Sequence, residues 1–186
     1  MTRRPRVRTR ERCTITRLTG NDERLAQLLR MKDQARLGGG ARRNDAQHER
    51  GKLTARERID LLLDPGTFEE IDQLMVHRAR EFGLGERHFL GDAAVTGHGK
   101  IDGRGVFVFA QDYTILGGSL SEVMGEKLAK VLDLATRTGA PVIGLYDTGG
   151  ARLQEGVASL GSWGGVLMRM ALASGVVPQI ALVLGP

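Results

Sequence analysis

A run of apolar residues, Val142 to Tyr146, leads into Asp147-Thr148-Gly149-Gly150-Ala151-Arg152-Leu153-Gln154-Glu155-Gly156, and a helical pattern follows. A glycine pair between a strand end and a helix start presents backbone N–H groups that have no partner within the helix. Such groups hold a phosphate, a carboxylate or a developing oxyanion. A second pair, Gly117-Gly118, follows another predicted strand. Both pairs stand at carboxyl ends of strands, where open parallel sheets bind ligands. Alternatively, the glycines serve only the tight turns themselves. The polar groups nearby are Asp112, Thr148, Arg152 and Gln154. Arg152 either holds a phosphate or pairs with Glu155. Glycine amides without an obvious nucleophile suit enolate stabilisation better than covalent hydrolysis.

Other motifs fail on spacing. Gly125-Glu126-Lys127 lacks the adjacent glycine and lysine of a phosphate-binding loop. Gly83-Leu84-Gly85 and Gly97-His98-Gly99 lack the third glycine of a dinucleotide fingerprint. Gly117 to Ser121 lacks the closing glycine of a nucleophile elbow. His48, His77, His88 and His98 show no zinc spacing, so no metal is expected.

The elements that must position the glycine pairs alternate. Residues 21–37 read as a helix capped by Asn21 or Asp22, with Leu25, Leu28 and Leu29 on one face and Gly38-Gly39-Gly40 as its end. A polar linker is expected through Lys52. Thr54-Ala55-Arg56-Glu57 is a capping box, followed by Ile59, Leu62 and Leu63 at helical spacing and a stop at Pro65-Gly66. Residues 79–92 read as a glycine- and charge-rich loop. Ala93 to Ile101 and Val106 to Ala110 form a hairpin around the turn 102–105. A helix is expected over 121–137, with Met124, Leu128, Val131, Leu132 and Ala135 on one face. After the strand Val142 to Tyr146, a second helix runs to about 173 with Leu160, Trp163, Leu167 and Met170 aligned, and Gln179 to Leu184 is the last strand. Continuous apolar strands separated by amphipathic helices imply an α/β fold with parallel pairing.

The net charge of +5 belongs to one end. Six arginines and one acid stand in residues 1–12, and the rest of the chain is neutral. Residues 1–18 therefore read as a disordered basic arm and residues 19–186 as one domain. No aromatic interleaving supports nucleic-acid binding. No apolar run approaches the ~20 residues of a membrane span. A lone cysteine, Cys13, and no secretory signal fit a cytoplasmic setting.

Four ordered stretches carry a family likeness: Gly51 to Ile59 with Leu61 to Asp64, Phe109 to Ser119, Gly149 to Leu160, and Ala173 to Ile180. Gly38 to Arg42 and Gln47-His48 also fit. On these residues the chain resembles the N-terminal part of the carboxyltransferase (β) subunit of biotin-dependent acyl-CoA carboxylases of the propionyl-CoA carboxylase type. The resemblance implies an enzyme with a crotonase-like fold, a spiral of ββα units. It implies that full-length subunits form hexamers and work with a biotin carboxylase or biotin carrier subunit. Carboxybiotin, carried on that partner, would donate its carboxyl group to the α-carbon of an acyl-CoA of the acetyl or propionyl class. Biotin itself would take the α-proton. Gly149, Gly150 and Ala151 would be the catalytic backbone donors. Gly117, Gly118, Arg152, Gln154, Lys52, Arg56 and Arg58 would bind substrate. Rival expectations are a biotin-linked decarboxylase of malonyl- or methylmalonyl-CoA type, and a non-catalytic fragment. Thr148 stands where the family usually has serine. Gly164-Gly165 and Met168-Arg169-Met170 alter a helix that usually carries a glutamate. In the family, the Gly-Pro corresponding to Gly185-Pro186 continues into a glycine-rich turn that completes an oxyanion hole, so the domain is expected to be incomplete at its C-terminus and inactive alone.

Overall fold

The computed structural model describes residues 20–185. The basic arm expected over residues 1–18 lies outside the described residues. Helix α1 spans Gly20–Arg36, α2 Ala41–His48 and α3 Ala55–Leu62. Strands β1 (Glu69–Ile71), β2 (Ala94–Ile101) and β3 (Arg104–Gln111) follow. Helix α4 (Glu122–Thr138), β4 (Val142–Tyr146), α5 (Val157–Ala173) and β5 (Gln179–Val183) complete the order. The five strands pair in chain order, antiparallel from β1 to β3 and parallel from β3 to β5.

Each face of the sheet has its own core. On one side Ala55, Ile59 and Leu63, on and just after α3, pack on Val95, Val106, Val108, Ala110, Ile143 and Leu145. On the other, α4 and α5 cover Ala94, Phe109 and Val142. The α4 pattern is the one its sequence predicts: Met124, Leu128, Val131, Leu132 and Ala135 are all buried. Ser121 caps it by accepting from Met124 N at 2.8 Å, and Gly139 ends it in the left-handed region, φ 70. Where α4 meets α5, a Cβ on Gly125 would strike the Ser162 hydroxyl. That hydroxyl instead donates to the Glu122 carbonyl at 2.7 Å. The capping box of α3 also forms. Glu57 N donates to Thr54 Oγ1 at 3.4 Å, and Thr54 N donates to the Glu57 carboxylate at 2.7 Å.

Three expectations are corrected. The polar linker before Lys52 contains α2, which has no apolar stripe and buries only Gln47. Alanine, arginine and glutamine favour helix by propensity alone. Strand β1 was not expected; it pairs along the β2 edge. Finally, the core face of α5 is Ser159, Val166 and Ala173, flanked by half-buried Trp163 and Met170. Leu160 and Leu167, expected on that face, are exposed. Leu25, Leu28 and Leu29 of α1 are exposed as well.

Candidate active site

The two glycine pairs meet. Gly149 N donates to Gly117 O at 2.9 Å. A bridge then joins Leu120 to Ala151, with Leu120 N donating to Gly150 O at 2.9 Å and Arg152 N to Leu120 O at 2.8 Å. Gly118 must be glycine for two reasons: its φ is +63, and a Cβ would run into the Asp147 carbonyl oxygen. Leu116, Gly117 and Gly118 are three successive residues with positive φ. A non-glycine residue in that region is held there by its surroundings and marks a strained segment.

The amides of this loop are not equivalent. Gly149 N is taken by Gly117 O and Gly150 N by Thr148 Oγ1, the latter at 3.0 Å. Ala151 N donates to no acceptor among the described residues. Thr148 N likewise donates to none, so Ala151 and Thr148 both carry unengaged donors past the carboxyl end of β4, and Gly149 and Gly150 shape the turn between them.

Buried ion pairs hold both ends of the loop. At the entrance, the Asp147 side chain is 1% exposed. Its Oδ2 accepts from Arg58 Nη2 at 2.6 Å and from Gln47 Nε2 at 3.1 Å. Lys52 Nζ lies 3.6 Å from Oδ1, an ion-pair distance. At the exit, Arg152 is 2% exposed. Its Nη1 donates to Asp92 Oδ1 at 2.6 Å and Glu155 Oε1 at 3.0 Å, while Nε and Nη2 reach Ser119 Oγ and O. Charges this deep are tolerated only when paired and hydrogen-bonded.

Of the expected substrate-binding cations, Arg58 and Lys52 thus face Asp147. Arg56 forms a two-pronged pair with Glu70, at 2.8 and 2.9 Å, and donates to Ala35 O. Arg152 is turned into the protein, and Gln154 is exposed. A cavity of about 240 Å³ beside Leu116 and Gly117 is lined by other cations, Arg43 and Arg50 on and just after α2, together with Gln47 and Tyr113. Burial pushes the nearby Asp112 carboxyl up, against the hydrogen bonds from Thr114 and the positive charge of Arg56 and Arg58. Asp92, Asp147, Ser119, Arg43 and Arg50 were not expected at the site. Asp147 had one signal, a charge directly between an apolar strand and a glycine pair. Asp92, sixty residues from its partner, had none. Among the described residues no group of three or more His, Cys, Asp or Glu side chains is placed to hold a metal, and no helix is long and apolar enough to cross a membrane.

Comparison with known proteins gives the loop a context. The chain is 56% identical over 162 residues to the propionyl-CoA carboxylase beta chain of Roseobacter denitrificans, covering 87% of this chain and 32% of that protein. Against the human mitochondrial propionyl-CoA carboxylase beta chain the identity is 52% over 182 residues, or 97% of this chain and 33% of the relative. The chain thus spans about a third of the length of these relatives. Among solved structures, transcarboxylase 12S with hydrolyzed methylmalonyl-coenzyme A bound superposes with a TM-score of 0.86 at 42% identity, over 90% of this chain and 32% of that one. A Pseudomonas malonate decarboxylase follows at 0.67 and 30% identity, over 72% of this chain and 51% of the other. The mixed α/β unit is the crotonase-like fold shared with these carboxyltransferases. The carboxyl transferase domain model matches residues 46–186, which include both buried ion pairs and the loop between them, and on that match the chain belongs to the carboxyl transferase domain family.

Proposed function

We propose that this chain supplies the acyl-CoA side of a carboxyltransferase of the propionyl-CoA carboxylase type. In this reaction a carboxyl group passes from carboxybiotin, presented by a partner protein, to the α-carbon of an acetyl- or propionyl-class thioester. One observation carries the proposal: the unengaged Ala151 amide, held between two buried ion pairs at the end of β4. Loss of the α-proton places negative charge on the thioester oxygen. A fixed N–H aimed at that oxygen is worth about 2.7–4 kcal/mol when the site excludes water. The carboxylates nearest the loop, Asp92, Asp147 and Glu155, are each tied to an arginine. None is a free base, which fits a proton acceptor brought in with carboxybiotin. Gly149, Gly150, Gly117 and Gly118 shape the turn, and Arg152, Arg58 and Lys52 hold it. Arg56 braces α3 against β1. Arg43 and Arg50, which line the cavity beside Gly117, would meet CoA phosphates, and exposed Gln154 would touch the ligand. A second transcarboxylase 12S structure, with methylmalonyl-coenzyme A and methylmalonic acid bound, supports an acyl-CoA ligand. Decarboxylation is less favoured, because the decarboxylase likeness is weaker than that to propionyl-CoA carboxylases. The hexamer assembly of transcarboxylase 12S supports a homo-oligomer as the working form.

An oxyanion hole usually combines at least two donors. The 186 residues, about a third of the length of the β chains they match, are expected to give no carboxylated product from propionyl-CoA and a soluble carboxybiotin. Product is expected once the remaining two thirds of a related β chain and its biotin partner are supplied. Replacing Ala151 by lactate removes the N–H and weakens the Gly150 carbonyl as acceptor from Leu120, and this change should lower that rate about 100- to 1000-fold. An unchanged rate with the lactate variant rules out Ala151 as the donor.

A further inference from the structure

Asp92 has no place in the reaction as described, yet it is 0% exposed and sits under the loop. The chain bends sharply there, with φ 42 at Asp92 and φ 59 at Ala93, two adjacent left-handed residues that are not glycine. Such strain persists only where the surroundings impose it. Here Lys127, itself buried, donates from Nζ to the carbonyls of Gly91 and Ala94, on either side of the bend. The bend aims the carboxylate two ways: Oδ1 takes Arg152 Nη1 at 2.6 Å, and Oδ2 takes Ser121 Oγ at 2.5 Å.

Arg152 directly follows Ala151. Its backbone N–H and the Gly150 carbonyl both bond to Leu120, so the peptide of Ala151 is gripped on both sides. The guanidinium sets where that grip lies, because its remaining contacts are Ser119 and Glu155, themselves parts of the neighbouring turns. A neutral side chain at position 92 would leave a buried guanidinium short of one carboxylate, and it would have to move to find solvent or another partner. A shift that reaches the Arg152 backbone loosens its bond to Leu120 O and turns the adjoining Ala151 peptide with it.

We propose that Asp92 is a positioning residue that, through Arg152, fixes the direction of the Ala151 N–H. The claim rests on the acyl-CoA reading of the loop. The test uses the full chain with 15N-labelled alanine, titrated with propionyl-CoA. Ala46 lines the cavity beside Gly117 and reports occupancy. Ala151 reports the hydrogen bond, and Ala135, in the core, reports integrity of the fold. In the wild-type chain Ala46 and Ala151 should both shift. In Asp92→Asn, Ala135 should stay in place and Ala46 should respond at a concentration within about threefold of wild type, as expected where at most one neutral hydrogen bond is lost. Ala151 should lose its ligand-induced shift. An Ala151 response equal to wild type in Asp92→Asn overturns the proposal. If that variant does not fold, Asp92→Asn with Arg152→Gln removes both charges together and must show the same loss at Ala151. A wild-type chain in which neither Ala46 nor Ala151 responds overturns the acyl-CoA reading instead.

Discussion

Strands β4 and β5 are neighbours of equal length and similar composition, yet β4 is buried except at Tyr146 and β5 is exposed at every residue. Strand β4 lies between two others, with α3 over one face and α4 and α5 over the other. Strand β5 is an edge. Ile180 and Leu182 continue the apolar surface of Ile143 and Leu145 toward the edge, where they remain 51% and 37% exposed. The outer side of α5 repeats the pattern, with Val157, Leu160, Met168 and Leu172 more than half exposed. An apolar run specifies a strand that tolerates burial; it does not supply the cover. A patch of this kind marks a contact surface in soluble proteins.

Core truncation should separate the two regions most widely. Phe109→Ala opens a cavity under α4 and should cost about 3–5 kcal/mol. Val183→Ala in β5 should stay within about 0.5 kcal/mol. Urea midpoints of the two variants check this, and equal losses would mean that β5 is covered in solution.

Ion pairs should divide in the same way. Arg58→Met strands the Asp147 carboxylate in the interior and should cost roughly 3–5 kcal/mol. Arg78→Met breaks an exposed pair with Glu126 and should cost less than about 1 kcal/mol. A small loss for Arg58→Met, measured by the same titration, would show that water reaches Asp147.

The Lys127 ammonium tests the buried half by pH. Burial lowers its pKa to about 8, against the pull of Glu70, Asp92 and Asp72. Below pH 8 both the folded and unfolded states hold the proton, and the burial penalty is present in full. Between 8 and the ordinary 10.5 the unfolded state binds more protons, so stability rises with pH through that window. The gain is about 1.4 kcal/mol per unit of separation. Lys127→Met should abolish the rise, visible as the difference between two melting profiles over pH 7–11. Parallel profiles would place the ammonium in contact with solvent.

The smallest effect on stability belongs to the open face. Leu172→Glu should change the urea midpoint by no more than about 0.5 kcal/mol. It should nevertheless reduce the light scattering that the wild-type chain is expected to show at micromolar concentration. A wild-type chain that stays monomeric and binds no hydrophobic dye would remove the contrast between the regions.

Legibility followed the range of the forces involved. Helix α4 was readable because its stripe, its serine cap and its terminal glycine are local signals of one helix. Helix α2 was not, since its one buried residue, Gln47, is polar and serves a carboxylate a hundred residues away. On α5, apolar residues surround much of the helix, so the period alone did not choose between the Leu160–Leu167 face and the Ser159–Val166–Ala173 face. The glycine pairs marked two turns that meet in the structure, but not which of their amides are left unengaged.

The sequence by itself determined the order of strands and helices from β2 onward, the turns at Gly117-Gly118 and Gly149-Gly150, and the family. Periodicity and backbone preference act within a few residues, and a motif preserves them. Only the tertiary structure decided that Arg58 meets Asp147 across 89 residues, that Arg152 meets Asp92 across 60, and that β5 stands bare beside β4. Such pairings exist only after distant segments have closed on one another, and burial depends on what lies over a strand as well as on the strand itself.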